Sequence, residues 1–410
     1  MLCGLLGRKL SHSYSPQIHE KLGDYNYSLF EKEPEEIESF LKSDAFTGLN
    51  VTIPYKKAVI PYCDELTPIA KKLGAVNTIV RRKDGTLLGH NSDYYGFRSM
   101  VAQSGLRLEG KKVLVLGSGG ASATAVAVIE DLGGMPVVIS RNGTNNYENL
   151  HLHYDAAAIV NATPVGMYPN TDSSPMDLTP FKLLEGVLDL IYNPAHTTLL
   201  QAAEKKNIIA INGLWMLVSQ AKESAEYFLD RKLDDSLIFD IYNDLRFQME
   251  NIVLIGMPGC GKTTVGKELA SQLNKLFIDI DEEIVKRAGT SIPEIFAEQG
   301  ESGFRNLESD VLADICKRSG LVISTGGGCI TQERNYSYLH QNGTIVWIKR
   351  DISLLPTEGR PLSQQNKVTE LYKIRKPLYE AFSDISVTNT DTPNSTAIKI
   401  TTMIKENHRK

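Results

Sequence analysis

The chain has 410 residues, enough for about two to four domains, each with its own core. Hydrophobic residues make up 42% and charged residues 23%, which excludes a disordered or fibrous chain. Lys and Arg number 44 against 49 Asp and Glu, a net charge of −5 that argues against bulk binding to nucleic acid or a membrane surface.

Five cysteines (Cys3, Cys63, Cys260, Cys316, Cys329) form no CxxC pair and no metal-ligand spacing, the usage expected in a reducing compartment. The apolar Met1–Leu6 is too short for a signal peptide. The uncharged run Val113–Ile129 is broken by Gly117, Gly119 and Gly120, whereas a bilayer span needs about 20 residues. A cytoplasmic protein is the expectation.

Short β-branched runs alternate with helical stretches at Lys112–Leu116, Pro136–Ser140, Ala158–Asn161, Val187–Asp189 and Ile208–Ile211. That rhythm predicts α/β architecture with mostly parallel sheets. Leu237, Ile238, Ile241 and Leu245 predict a helix over Asp235–Glu250, and the rhythm restarts at Ile252–Ile255. The main boundary is therefore placed at about 246–250. Two separate strand–glycine–helix units, at Gly117 and Gly256, point away from a single nucleotide site.

Three polar clusters come first along the chain. Ser11-His12-Ser13-Tyr14-Ser15-Pro16 offers hydroxyls two residues apart ahead of a helix, and a Ser–Pro cap accounts for Ser15 equally well. Asn50-Val-Thr52-Ile-Pro54-Tyr-Lys56 sets a lysine after a strand-breaking proline. Gly89-His-Asn91-Ser-Asp93-Tyr-Tyr-Gly96 offers a carboxylate; paired, Lys56 and Asp93 would make a proton-transfer dyad beside a hydride acceptor.

Leu114-Val-Leu116-Gly117-Ser-Gly119-Gly120-Ala121 then approximates a dinucleotide fingerprint, with Ser122 at its third glycine position. Where a ribose-binding acid would stand after the next strand, the chain has Ser140-Arg141-Asn142. A guanidinium there suits a 2′-phosphate, although a surface arginine is the plainer alternative.

Together with GAVNTI, NATPVGM, DLIYNP and NGLWMLVSQ, these stretches make residues 1 to about 246 resemble shikimate dehydrogenase. The resemblance implies that Ser13, Ser15, Thr52, Asn77, Asp93 and Gln220 hold the substrate, with Tyr192 nearby, and that Lys56 with Asp93 serves catalysis. It places Gly117, Gly119, Gly120, Ala121, Arg141, Gly213 and Met216 at NADP(H). It implies two lobes: a substrate lobe over 1–100 completed by 221–246, and a Rossmann-like NADP-binding lobe over 101–220. Two departures stand out. The family's Asn-Arg-Thr is Ser140-Arg141-Asn142 here, and only about 20 residues then precede NATPVGM, so the adenine-side wall is expected to be trimmed.

In the C-terminal part, Gly256-Met-Pro-Gly259-Cys-Gly261-Lys262-Thr263 fits GxxxxGK[ST], between the strand Ile252–Ile255 and a helix predicted over Thr264–Leu273. Such a loop turns backbone N–H groups around phosphate oxygens; Lys262 would reach the β- and γ-phosphates and Thr263 would ligate Mg²⁺. Asp279 and Asp281, two apart at a predicted strand end, are expected to point to one side, toward metal-bound water and an acceptor hydroxyl; a capped strand–helix turn is the alternative, which accounts for Asp281 but not for Asp279. Arg305, Arg360 and Arg375 follow in glycine- or proline-marked settings that suit grip on a carboxylate and on phosphate oxygens.

The P-loop, FIDID, GESGFR, STGGG, GRPL and RKPLYE, in that order, make residues 250–410 resemble shikimate kinase. The resemblance implies a P-loop domain with a parallel sheet. Gly256, Gly259, Gly261, Lys262, Thr263 and Thr264 would hold ATP, and Thr263 and Asp279 the Mg²⁺. Asp281 would contact the acceptor hydroxyl, Arg305, Gly327, Gly328 and Arg375 would hold shikimate, and Arg360 would belong to the lid. The lid stretch Leu354–Arg360 is shorter and poorer in arginine than the family's.

The whole reads as a fusion that reduces 3-dehydroshikimate with NADPH and phosphorylates the shikimate formed, acting on small molecules. Quinate with NAD in the first half, another small-metabolite kinase in the second, or one half serving as a non-catalytic ligand-binding module, are the alternatives the residues leave open. Oligomeric state is not encoded in these motifs.

Overall fold

The computed structural model describes residues 1–10, 13–355 and 365–408. The described chain divides into two compact units, one of Met1–Gly166, Ser173–Tyr192 and Leu199–Asp244, the other of Met167–Asp172, Asn193–Thr198 and Leu245–Lys410. The division falls within the helix Ser236–Met249, just before the expected 246–250 boundary.

The first unit carries two sheets. One is built from β1 (Leu2–Gly7), β2 (Asn26–Glu31), β3 (Gly48–Val51), β4 (Glu65–Leu66), β5 (Thr78–Arg81) and β6 (Leu87–His90), in the order β2-β1-β3-β5-β6-β4. It is mixed rather than mostly parallel: β5 runs antiparallel to both β3 and β6. The reason is local. Lys83-Asp84-Gly85 closes a tight turn in which Arg82 N–H donates to Thr86 O at 2.8 Å, Asp84 Oδ1 accepts from Thr86 N–H at 3.0 Å, and Gly85 takes φ +87°. A two-strand hairpin needs no helical crossover.

The other sheet comprises β7 (Lys112–Leu116), β8 (Met135–Ile139), β9 (Ala158–Asn161), β10 (Gly186–Asp189) and β11 (Ile209–Ile211), all parallel, in the order β11-β10-β9-β7-β8. Its strands are apolar runs without alternation, as a sheet covered on both faces requires, and a buried cluster lies on each face. Chain direction switches beside β7, whose two neighbours β8 and β9 lie on opposite sides, and ligands bind such sheets at this point.

The second unit holds β12 (Asn251–Ile255), β13 (Leu276–Asp279), β14 (Leu321–Ser324), β15 (Gly343–Lys349) and β16 (Ile385–Thr388), parallel throughout and ordered β13-β14-β12-β15-β16. One continuous core surrounds it, built on Ile252–Ile255, Val322, Ile323 and Ile345–Ile348. No helix among the described residues is long and apolar enough to cross a membrane.

Candidate active sites

In the first unit, Lys56 Nζ donates to Asp93 Oδ2 at 2.6 Å, with side chains 31% and 17% exposed. Asp93 is the first residue of the helix Asp93–Ser104, where the positive end of the helix dipole favours its charge. Asn91 Oδ1 accepts the Asp93 backbone N–H at 3.1 Å and fixes the turn.

The same helix meets Leu214–Leu229 at Gly96. A β-carbon there would lie 2.8 Å from both Met216 O and Gln220 Cβ, so only glycine permits this approach. The result is that Gln220 and Asn77 converge on Ser92, the residue before Asp93. Ser92 Oγ donates to Gln220 Oε1 at 3.2 Å, Asn77 Oδ1 accepts the Ser92 N–H at 2.7 Å, and Asn77 Nδ2 donates to Ser92 Oγ at 3.1 Å.

Ser13 and Ser15 sit at the start of the helix Ser15–Leu22, with Ser13 Oγ accepting the Ser15 N–H at 3.2 Å. Tyr14, between them, packs edge-on to Tyr192 at 6.2 Å, and burial pushes the Tyr192 phenol above its ordinary pKa. Ser15 reaches the Tyr27 hydroxyl, which donates to Asn50 Oδ1 at 2.8 Å. Thr52 lies just past β3, its N–H donating to Leu6 O at 2.9 Å. Lys56, Asp93, Asn77 and Gln220 thus form one group, with Ser13, Ser15 and Tyr192 forming a second.

Gly117 ends β7 with φ +106° and a virtual β-carbon 3.1 Å from Ala162 O. Gly119 and Gly120 face open space at the N-terminus of the helix Gly120–Asp131, with exposed Ala121 beside them. That is room and polarity for a pyrophosphate. Arg141 is exposed on the turn after β8, the strand next to β7. Gly213 and Met216 open the helix Leu214–Leu229.

In the second unit one cavity of about 670 Å³ is lined by Gly259, Gly261, Lys262, Thr263, Thr264, Asp279, Asp281, Arg305, Gly327, Gly328 and Arg375, all singled out from sequence; Gly256, singled out with them, is not part of the lining. Lys262 is buried and its ammonium donates to Gly256 O at 2.9 Å and Met257 O at 3.1 Å. Thr263 Oγ1 donates to Asp279 Oδ2 at 2.8 Å, so two hard oxygens stand together as an Mg²⁺ site requires. Asp281 corrects an expectation. It lies in the first turn of the helix Ile280–Ala288 and not on a strand, because Asp279 Oδ1 accepts the Asp281 N–H at 3.0 Å and caps that helix at once. Both carboxylates still line the cavity.

Arg305 Nη1 donates to Glu308 Oε2 at 2.7 Å. Among the described residues, Arg305 Nε and Glu308 Oε1 have no hydrogen-bond partner, two buried polar atoms left over beside the cavity. Burial pushes the Glu308 carboxyl above its ordinary pKa, against the pull of Arg305. Arg375 Nη1 and Tyr379 Oη both donate to Gly327 O, at 3.0 and 2.5 Å. Arg360 lies outside the described residues.

Sequence reasoning missed Glu308, Tyr379, Ser92 and Arg350, the last of which also lines the cavity. Ser92 and Tyr379 stand inside the quoted GHNSDYYG and RKPLYE stretches, and Glu308 has its i+3 spacing from Arg305, which reads as an ordinary surface ion pair.

Comparison with known proteins bears on both units. A shikimate dehydrogenase (NADP(+)) of Clostridium perfringens (strain SM101 / Type A) is 37% identical over 267 residues, covering 60% of this chain and 98% of the relative. The chain belongs to the shikimate dehydrogenase family. The family model for the shikimate dehydrogenase substrate-binding domain matches residues 5–79, and that for shikimate kinase matches residues 258–405. Among solved structures, shikimate dehydrogenase 1 from Peptoclostridium difficile is 39% identical with a TM-score of 0.54, covering 60% of this chain and 97% of its own. A chorismate mutase/shikimate 5-dehydrogenase fusion from Clostridium acetobutylicum is 35% identical with a TM-score of 0.57, covering 60% and 96%. The chain therefore joins a shikimate dehydrogenase to a shikimate kinase domain and is a bifunctional enzyme of the shikimate pathway.

Proposed function

We propose that the Lys56–Asp93 group is the reduction site for 3-dehydroshikimate and the Lys262–Arg375 cavity the phosphorylation site for shikimate. The observation that carries the reading is that each set of groups is complete within its own compact unit. In this reading residues 1–100 with 221–246 form the substrate lobe, 101–220 the NADP lobe and 250–410 the kinase, although the boundary at 220/221 falls inside the helix Leu214–Leu229.

Bound NADPH supplies the hydride that reduces the C3 carbonyl. Lys56 gives its proton to the carbonyl oxygen as charge develops there, and Asp93 at 2.6 Å holds the ammonium in line. Asn77, Gln220, Ser13 and Ser15 fix the ring hydroxyls and carboxylate, Thr52 and Tyr192 close the sides, and Arg141 pairs with the 2′-phosphate. Gly117, Gly119, Gly120 and Ala121 would let the backbone approach the pyrophosphate, and Gly213 and Met216 would hold the nicotinamide end.

In the kinase, bound ATP–Mg²⁺ supplies the phosphoryl group. Thr263 and Asp279 would hold the metal, and Lys262 would leave its loop carbonyls for the phosphates. Arg305 and Arg375 grip the shikimate carboxylate against Gly327 and Gly328. Asp281 orients the C3 hydroxyl and accepts its proton.

The test is reciprocal inactivation. Lys56→Ala should abolish shikimate oxidation by NADP⁺ and spare ADP release from ATP and shikimate; Lys262→Ala should do the opposite. Loss of both activities from either substitution in a folded protein would refute the two-site reading.

A further inference from the structure

Behind the reduction site lies a buried cluster of side-chain hydroxyls and amides that no motif announces. Ser224, on the helix Leu214–Leu229 one turn after Gln220, is fully buried, as are Thr78 and Ser92. Its Oγ lies 2.8 Å from Asn50 Nδ2, 2.8 Å from Thr78 Oγ1 and 2.9 Å from Ser92 Oγ, and 3.0 Å from Gln220 O. Four groups from three chain segments and the helix's own backbone therefore meet on one oxygen.

Proton counting fixes the direction of these bonds. A serine hydroxyl has one proton and two lone pairs. Ser224 gives its proton to Gln220 O, the usual partner of a helical serine one turn back. Asn50 Nδ2 can only donate, so it takes one lone pair of Ser224. Thr78 takes the other with its proton, the shortest of its three contacts at 2.8 Å against 3.0 Å to Asn77 Oδ1 and 3.3 Å to Ser92 Oγ. Ser92, which accepts from Asn77 Nδ2, then gives its own proton to Gln220 Oε1 at 3.2 Å, because Asn77 Oδ1, equally near, already accepts the Ser92 N–H at 2.7 Å.

The amides are set from behind by this chain of bonds. Asn77 Oδ1 is held on the Ser92 N–H at 2.7 Å and Gln220 Oε1 on the Ser92 hydroxyl at 3.2 Å. Each carbonyl end is turned inward, and what each amide has left to offer a ligand is an N–H. With Lys56 also a donor, the cleft presents donors to the oxygens of a polyhydroxylated acid.

We infer that Ser224 is a positioning residue for the substrate: by taking the Thr78 proton it leaves Ser92 to donate to Gln220, and so fixes the amide orientation of Asn77 and Gln220. The inference rests on the reading of the Lys56–Asp93 group as the reduction site. In Ser224→Ala, Asn50 Nδ2 and the Thr78 hydroxyl lose their acceptor. Thr78 can then turn its proton to Asn77 Oδ1 at 3.0 Å or to Ser92 at 3.3 Å, which reverses the polarity of the cluster. One misdirected hydrogen bond is worth about 0.5–1.5 kcal/mol, so KM for shikimate should rise roughly three- to tenfold.

The experiment is steady-state shikimate oxidation by NADP⁺ with the full chain, for wild type, Ser224→Ala and Ala225→Gly. Ala225 is fully buried on the same helix outside the cluster, and its change to glycine weakens the helix by about 0.5–1 kcal/mol without touching the hydroxyls. The expected result is a raised KM for shikimate in Ser224→Ala with KM for NADP⁺ within twofold, and no such split in Ala225→Gly. Should Ser224→Ala not fold, Thr78→Val removes the proton that Ser224 accepts at equal size and carries the same expectation. An unchanged KM for shikimate, or the same change in Ala225→Gly, overturns the inference. A wild-type chain that does not oxidise shikimate would instead overturn the reading of the site.

Discussion

Replacing Gly328 by alanine isolates one contact in the kinase cavity. Gly328 has φ −112° and ψ 0°, a conformation open to any residue, so the substitution adds no backbone strain. Its new β-carbon would lie 2.1 Å from Arg305 Nη2 and 2.4 Å from Cζ. Reaching even a tight contact of 3.0 Å requires the guanidinium to retreat by about 0.9 Å. An exposed arginine would do so at little cost, but Arg305 is 6% exposed, its Nη1 is tied to Glu308 at 2.7 Å, and its Cζ sits 5.1 Å from the Phe304 ring centroid. In the proposed reading, in which Arg305 holds the substrate carboxylate, the displacement moves the guanidinium off its binding position. Misplacement of a positioning group by about 1 Å costs on the order of 10²-fold. ADP release measured against shikimate at saturating Mg²⁺–ATP should show KM for shikimate raised about 30- to 100-fold. KM for ATP should stay within twofold, because the Lys262 and Thr263 contacts do not involve Gly328. A KM for shikimate within threefold of wild type, with an unchanged melting temperature, would mean that Arg305 does not hold the substrate.

Two further predictions concern the dehydrogenase. In the proposed reading Arg141→Ala removes a charge-assisted contact to the 2′-phosphate worth about 1.5–3 kcal/mol, so KM for NADPH should rise about tenfold to a hundredfold while activity with NADH stays the same; equal loss with both cofactors would remove Arg141 from the 2′-phosphate. His19 is 1% exposed, with Nδ1 2.7 Å from Tyr25 Oη and its ring stacked on Tyr27 at 4.1 Å, and burial pushes its pKa down to about 3. The unfolded chain, where histidine titrates near 6.5, binds more protons between those values. Stability is therefore full above about pH 6.5 and falls by about 1.4 kcal/mol per unit as pH drops toward 3. Urea unfolding of the dehydrogenase at pH 7.5 and 5.0 should differ by about 2 kcal/mol more in wild type than in His19→Gln; equal differences would contradict the buried neutral histidine.

What the sequence made legible follows from how local each feature is. The phosphate cradle is eight consecutive residues whose glycines, lysine and threonine act on one another, so Gly256–Thr263 could be read outright, and the apolar runs of β7 and β12 mark covered parallel strands by themselves. Lys56 and Asp93 stand 37 residues apart: their chemistry suits a dyad and the resemblance gives the pair its role, but the pairing itself needs the fold that sets them at 2.6 Å. At Asp279 and Asp281 the spacing suits both a shared strand end and a capped strand–helix turn, and the choice rests on one hydrogen bond, from the Asp281 N–H to Asp279 Oδ1, that spacing does not encode. The antiparallel β5–β6 pair could have been read from Asp84-Gly85, a turn signal between two β-branched runs. Ser224, Thr78 and Asn50 could not: each is a small polar residue of ordinary type, and their meaning lies in strands and a helix brought together from positions up to 174 residues apart.

The most direct test of two complementary sites on one chain is a one-pot conversion. Purified full-length protein receives 3-dehydroshikimate, NADPH, ATP and Mg²⁺, and the products are read by mass. The account predicts shikimate 3-phosphate from the complete mixture, and shikimate alone when EDTA removes the metal that Thr263 and Asp279 would hold. A mixture that stops at shikimate with Mg²⁺ present, or that never consumes 3-dehydroshikimate, would contradict it.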